Sequence, residues 1–180
     1  MPVIEKGDGP LDPPRLPHGY TNSTVSDGRT VIKRYLGPNP RERQQGEVAA
    51  LKALAGLLPV PTVLDQTEGE ITLALVKGEP GQELLEKAPE LVLRSVGQTA
   101  RRLAEVDISR LTGLETVPPG TVLVHGDFGP QNMLFGSTAE PTAVLDWELA
   151  HVGDPVDDVA WAEWIVRTHH PHLLLSLIHI

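Results

Sequence analysis

The 180-residue sequence predicts a mixed α/β fold whose strands are antiparallel and concentrated toward the N-terminal half, and three observations carry that prediction. Between residues 19 and 76, β-branched runs are punctuated by turn residues at hairpin distances. Over residues 47–58 and 82–108, apolar side chains recur at intervals of three and four, the period of an amphipathic helix. From residue 121 to 145 short β-rich runs return, now interleaved with Asp, Asn and Gly.

Taken in order, residues 1–17 carry five prolines and no periodicity, so they predict an irregular arm. Residues 19–25, the pair Asp27-Gly28 and residues 30–35 read as a loop, a strand, a tight turn and a second strand. Such a hairpin can lie over nucleotide phosphates, and it equally fits an ordinary sheet edge. Lys33 shares one strand face with Val31, while Ile32 points to the other; a solvated strand lysine is the plain alternative to a functional one. Glu47 opens the helical stretch 47–58, which Pro59 stops. Strands are expected over 60–64 and 71–76 around a turn at 66–70, with Ala74, Leu75 and Val76 running out into Lys77-Gly78. The helical region 82–108 is interrupted at Pro89 and sets Leu91, Val92, Val96, Ala100, Leu103 and Val106 on one face. Residues 111–120 then make a short connection containing two prolines.

The chemistry-bearing stretch begins at Val122. Asp127 is followed five residues later by Asn132, and Asp146 ends a further apolar run. Two acids and an amide in this order are what phosphoryl transfer needs: one carboxylate near the attacking hydroxyl, and hard oxygen ligands for Mg²⁺. A hairpin with Asp and Asn as turn residues is the simpler alternative. Against it stand the spacing, the flanking β-rich runs and a third polar cluster, Gly153 to Asp158.

Three blocks, HGDFGPQNMLF, VLDWE and GDPVDDVAW, resemble the aminoglycoside phosphotransferase and choline-kinase-like family of small-molecule kinases, and the resemblance spans roughly residues 17–165. It implies a two-lobed, protein-kinase-like fold, with an N-lobe over residues 1–76 and a shortened, mainly helical C-lobe over 77–180. It further implies ATP or GTP as donor, Mg²⁺ as cofactor, and a small hydroxylated, plausibly cationic acceptor such as an aminoglycoside or amino-alcohol. By the same resemblance Asp127 is the base, Asn132 and Asp146 hold the metal, and Lys33 steadied by Glu47 binds phosphates. Asn22 and Ser23 fall in the phosphate loop, and the backbone of Ala74 and Val76 falls where adenine docks. Two departures stand out. Asp107 occupies the helix end where relatives often carry a His, and Gly126 replaces the Arg of the kinase His-Arg-Asp, so activation by phosphorylation is not expected. His125 is expected to orient the loop, Asp158 to buttress its backbone, and Asp154 with Pro155 to cap a helix. Glu148 reads either as a neighbour of metal-bound water or as a solvated side chain.

Composition sets the outer limits. A net charge of −9, from 24 acids against 15 bases, argues against a nucleic-acid partner. No 18-residue apolar run and no signal-peptide pattern occur, so neither a membrane span nor secretion is expected, and the cytoplasm is the default. With no Cys there is no disulfide or thiolate site. The run from Leu173 to Ile180 is apolar and predicts self-association. His169, His170 and His172 lack the i, i+4 spacing and the acid companion of a zinc site, so the sequence argues against one. A nucleotide-binding module without transferase activity is the alternative function.

Overall fold

A computed structural model of the chain describes residues 22–109 and 119–173. The N-terminal arm, the first part of the expected phosphate loop, most of the 111–120 connection and all of the apolar tail beyond Leu173 lie outside those residues. Strands β1 (Asn22–Ser26) and β2 (Thr30–Tyr35) form the expected hairpin. The Asp27 carboxylate closes its turn by accepting from the backbone N–H groups of Arg29 and Thr30 at 2.8 and 2.7 Å, and Gly28 takes the positive φ of 84° that the turn requires. Strand β2 also pairs with β4 (Glu70–Ala74), which pairs in turn with β3 (Val63–Thr67), giving an antiparallel sheet in the order β1-β2-β4-β3. Strand β3 starts and ends three residues later than the sequence predicts. The turn is only Glu68-Gly69, held by Gln44, whose amide donates to the Thr67 and Glu70 carbonyls and accepts from Gly69 N–H.

Helix α1 (Pro40–Leu54) begins seven residues earlier than expected and ends four earlier. Its first turns are polar, so apolar periodicity could not reveal them, but Pro40 at the first position suits a helix start. Gly56, at φ 79°, ends it before Pro59 can act. The inner face of α1, with Val48, Leu51 and Leu54, packs on Ile71 and Leu73 of the sheet. Each such fully buried aliphatic side chain contributes about 1.5–3 kcal/mol.

After the link at 75–78 the chain forms β5 (Glu79–Pro80), α2 (Gly81–Lys87) and α3 (Pro89–Ala104), with Pro89 breaking the helical region as expected. Helix α3 buries Val92, Leu93, Val96 and Leu103, whereas Leu91 is exposed; α3 is turned slightly from the predicted face. Strand β6 (Val122–Val124) pairs with β9 (His151–Gly153), a strand that the polar sequence after Asp146 does not suggest. Strands β5, β7 (Met133–Phe135) and β8 (Pro141–Val144) make a three-stranded sheet, and β8 stops one residue short of the expected Leu145. Helix α4 (Pro155–His169) starts at an Asp154 cap whose side chain accepts from Val156 N–H, with Asp157 reaching back to Asp154 N–H. Leu173 packs against the core. Among the described residues no helix is long and apolar enough to cross a membrane.

Candidate active site

Two clusters meet between the four-stranded sheet and the loops around β6–β8. The first centres on Lys33, which alternation on β2 turns inward beside Tyr35. Its ammonium lies 2.5 Å from Glu47 Oε2 on α1, 2.6 Å from Asp146 Oδ1 and 3.6 Å from Glu148 Oε2. Tyr35 donates its hydroxyl to the same Glu47 oxygen at 2.6 Å. Lys33 and Glu47 are almost wholly buried. Burial works against the Lys33 charge, but the carboxylates of Glu47 and Asp146 more than offset it and hold its pKa above the usual lysine range. Burial first, and Glu47 second, push the Tyr35 phenol up, so it stays protonated and remains a donor.

Arg43, from the first turns of α1, completes this cluster. It donates to Glu148 Oε2 at 3.0 Å and to Asn22 Oδ1 at 3.1 Å, while Asn22 Nδ2 donates to Glu148 at 2.6 Å. Neither the Arg43 contact nor the anchoring of Glu148 is visible in the sequence, because the partners stand 105 and 126 residues apart. Of the predicted phosphate-loop pair, Asn22 is brought to the cluster, whereas strand alternation sends Ser23, opposite Arg34, to the other face. Ala74 N–H donates to Thr62 O at 2.9 Å and Leu75 N–H to Arg29 O at 3.1 Å, so both amides serve the sheet; Val76 follows, half-buried, in the link. That link lies close against β8. A Cβ on Gly78 would come within 2.6 Å of Thr142 Oγ1.

The second cluster is the loop after β6. Asp127 Oδ2 and its backbone carbonyl both accept from Asn132 Nδ2 at 2.8 Å, and Oδ1 accepts from Trp161 Nε1 on α4 at 2.8 Å. With its nitrogen so committed, the Asn132 side chain is left its amide oxygen for other partners. The loop is knitted to its surroundings. Leu145 N–H donates to Asn132 O, His125 Nε2 meets Leu145 O at 2.8 Å, and Asp127 N–H donates to His125 Nδ1 at 3.2 Å. Burial holds the His125 pKa below its usual value, which suits a neutral ring packed on Trp147 at 4.5 Å between centroids. Asp158 accepts from the N–H groups of His125 and Gly126 at 2.8 and 3.0 Å. Gly126 has φ 84°, and a Cβ there would meet Leu149 O at 2.6 Å; any larger residue would displace the loop. Asp146 adopts φ 62°, an uncommon conformation outside glycine that turns its carboxylate back toward Lys33.

The donor set is hard. Oxygens of Glu47, Asp146 and Glu148 lie within 4.8 Å of one another around the Lys33 ammonium, formally three negative charges against the two of Lys33 and Arg43. That composition fits Mg²⁺ better than a soft transition metal.

The chain matches the phosphotransferase enzyme family over residues 14–120 and 114–179, nearly its whole length. It belongs to that family. Among solved structures, the chain resembles macrolide 2'-phosphotransferase MphH from Brachybacterium faecium, with TM-score 0.64 and 23% identity over 81% of this chain and 69% of the other. It likewise resembles the GDP complex of aminoglycoside 2'-phosphotransferase-IIIa, with TM-score 0.68 and 14% identity over 91% and 74% of the two chains. The streptomycin-ATP-APH(2")-IIa ternary complex matches with TM-score 0.64 and 17% identity over 92% and 80%. At these identities the likeness establishes the shared fold. Among curated proteins, acyl-CoA dehydrogenase family member 10 of Mus musculus is 56% identical over 43 residues, and family member 11 of Gallus gallus 51% over 41 residues. The matched segments are 23% and 22% of this chain but only 4% and 5% of those longer proteins.

Proposed function

We propose that this chain transfers the γ-phosphoryl group of ATP or GTP to a hydroxyl of a small molecule. The observation that carries the reading is the convergence of three separated motifs on one hydrogen-bonded framework, in which Asn132 and Trp161 present the Asp127 carboxylate while Lys33 and Asp146 face each other. In this reading the acceptor oxygen forms a bond to the γ-phosphorus as the bond to the β,γ-bridging oxygen breaks. The electron pair leaves on the nucleoside diphosphate, and the acceptor's proton passes to Asp127. Asn132 and Asp146 would hold Mg²⁺, whose charge offsets that of the phosphate oxygens. Lys33 uses two of its three N–H donors on Glu47 and Asp146, which leaves the third for a phosphate oxygen. The link after Ala74, including Val76, would meet the base, and the division into an N-lobe ending near residue 76 follows from the same assignment. Aminoglycosides and macrolides name the acceptors of structural neighbours, and we carry the class of polyhydroxylated, cationic molecule over to this chain as the acceptor to try first. Cytoplasmic placement and association through the C-terminal tail belong to the same proposal.

A second reading, nucleotide binding without transfer, is favoured by the exposure of Trp161 and Trp164 on the α4 face beside Asp127, at 39% and 50%. Calorimetry with Mg·ATP and Mg·GTP, alongside a coupled turnover assay over aminoglycosides and amino-alcohols, separates the two. Transfer is expected for at least one acceptor, together with loss of Mg·nucleotide binding by more than about a hundredfold in Asp146→Asn. Undiminished Mg·nucleotide affinity in that variant would overturn the metal assignment, and tight binding with no turnover would leave the module reading.

A further inference from the structure

We propose that Glu86, His170 and His172 form a second metal site, for a divalent transition metal of the zinc class. The sequence argued against zinc because the histidines had no acid companion; the fold supplies one from 84 residues away. Glu86 stands on the exposed side of α2, immediately after the buried Leu85. His170 is the C-cap of α4, just after its last residue, His169, and His172 sits in the short turn after it. His170 Nδ1 lies 2.5 Å from Glu86 Oε1, and His172 Nε2 lies 3.1 Å from Glu86 Oε2. All three ligand atoms fall within 4.8 Å of one another.

Zinc bound at about 2.0–2.2 Å to tetrahedral N and O ligands keeps neighbouring ligand atoms about 3.3 Å apart. The two contacts of 2.5 and 3.1 Å would open toward that separation as the ion enters. Two imidazoles and one carboxylate are a borderline donor set suited to Zn²⁺ or Co²⁺, in contrast to the all-oxygen set at Asp146, so the two sites select different ions. The His170 side chain is only 12% exposed and its ring is held edge-on to His172 at 6.2 Å, which limits the freedom lost on chelation. A water would take the fourth position. The ion would clamp the end of α4 to α2, whose first residue, Gly81, abuts the catalytic loop so closely that a Cβ would lie 2.4 Å from Pro130 O. Closing a loop this long is where a metal clip adds most stability.

The test uses the whole chain after chelator treatment, with metal alone and no nucleotide. One equivalent of Co²⁺ should give the visible absorption of a low-coordinate site, and Zn²⁺ should displace it. Zn²⁺ should raise the melting temperature. His170→Ala/His172→Ala should weaken Zn²⁺ binding by more than about a hundredfold and Glu86→Gln by about tenfold, while Asp146→Asn and His169→Ala leave it unchanged. Glu86 is exposed, so Glu86→Gln keeps the test sound should the double variant fold poorly. If the parent takes up no Zn²⁺, or if the double variant and Glu86→Gln bind it as tightly as the parent, the three side chains are a hydrogen-bonded clamp and the proposal falls. Loss of Zn²⁺ binding in Asp146→Asn would place the ion in the kinase site and overturn it equally.

Discussion

The Lys33 and Asp127 clusters lie in one framework but are built in opposite ways. Lys33 gathers Glu47 from α1 and Asp146 from the loop after β8, partners 14 and 113 residues away, and sits with Glu47 in the interior. Asp127 takes Gln131 and Asn132 from its own loop and, among the described residues, Trp161 from afar, and it is only partly buried. The difference separates two tasks. A buried charge with distant partners makes the sheet, α1 and the post-β8 loop depend on one another. A local carboxylate can be changed without disturbing them.

The sharpest break in this contrast is Asp127→Ala. Turnover should fall by about 10²–10⁴-fold while nucleotide affinity and the urea midpoint barely move, measured by a coupled assay and denaturation on one preparation. Equal loss of rate and stability would show that Asp127 is structural after all. Glu47→Ala should do the reverse first, destabilising the fold by about 3 kcal/mol, the lower end for a broken buried pair because Asp146 still faces Lys33. Trp161→Phe keeps the ring and removes one donor to Asp127, so a decline of about tenfold in turnover with unchanged nucleotide KM is expected. An unchanged rate would mean that Gln131 and Asn132 orient the carboxylate without Trp161.

The smallest effect is in pH. His125 has a folded pKa depressed by burial below its ordinary 6.5, so the native state binds its proton less readily than the unfolded chain. Its contribution is therefore fully present above about pH 6.5 and is lost as pH falls through the folded value. Melting curves across that window should flatten in His125→Asn, and an identical acid slope in the variant would remove His125 as its source.

Legibility followed sequence distance. Asp127 and Asn132 could be read as a pair because the loop that joins them is six residues long, and Asp154 with Pro155 because caps are local. The Asp27-Gly28 turn was readable for the same reason. Arg43 on Glu148, Gln44 on the β3–β4 turn and Trp161 on Asp127 were not, since each contact exists only once the strands are paired. The polar start of α1 and strand β9 escaped because neither carries an apolar period. Leu91, placed in the core by periodicity, is exposed because Val92, Val96 and Leu103 define the buried face of α3 and Leu91, one residue before Val92, falls about 100° around the helix from it.

The two backbone N–H groups held by Asp158 have a consequence for divergence within such a fold. One carboxylate, 33 and 32 residues from its partners, fixes the origin of α4 against the loop bearing Asp127. Helix α4 therefore projects from the Asp127 loop like an arm from a fixed datum. Under the proposed function, changes farther along that arm would alter what is presented to the acceptor without shifting Asp127. Recognition and chemistry can then drift at separate rates, with a single aspartate as the joint between them.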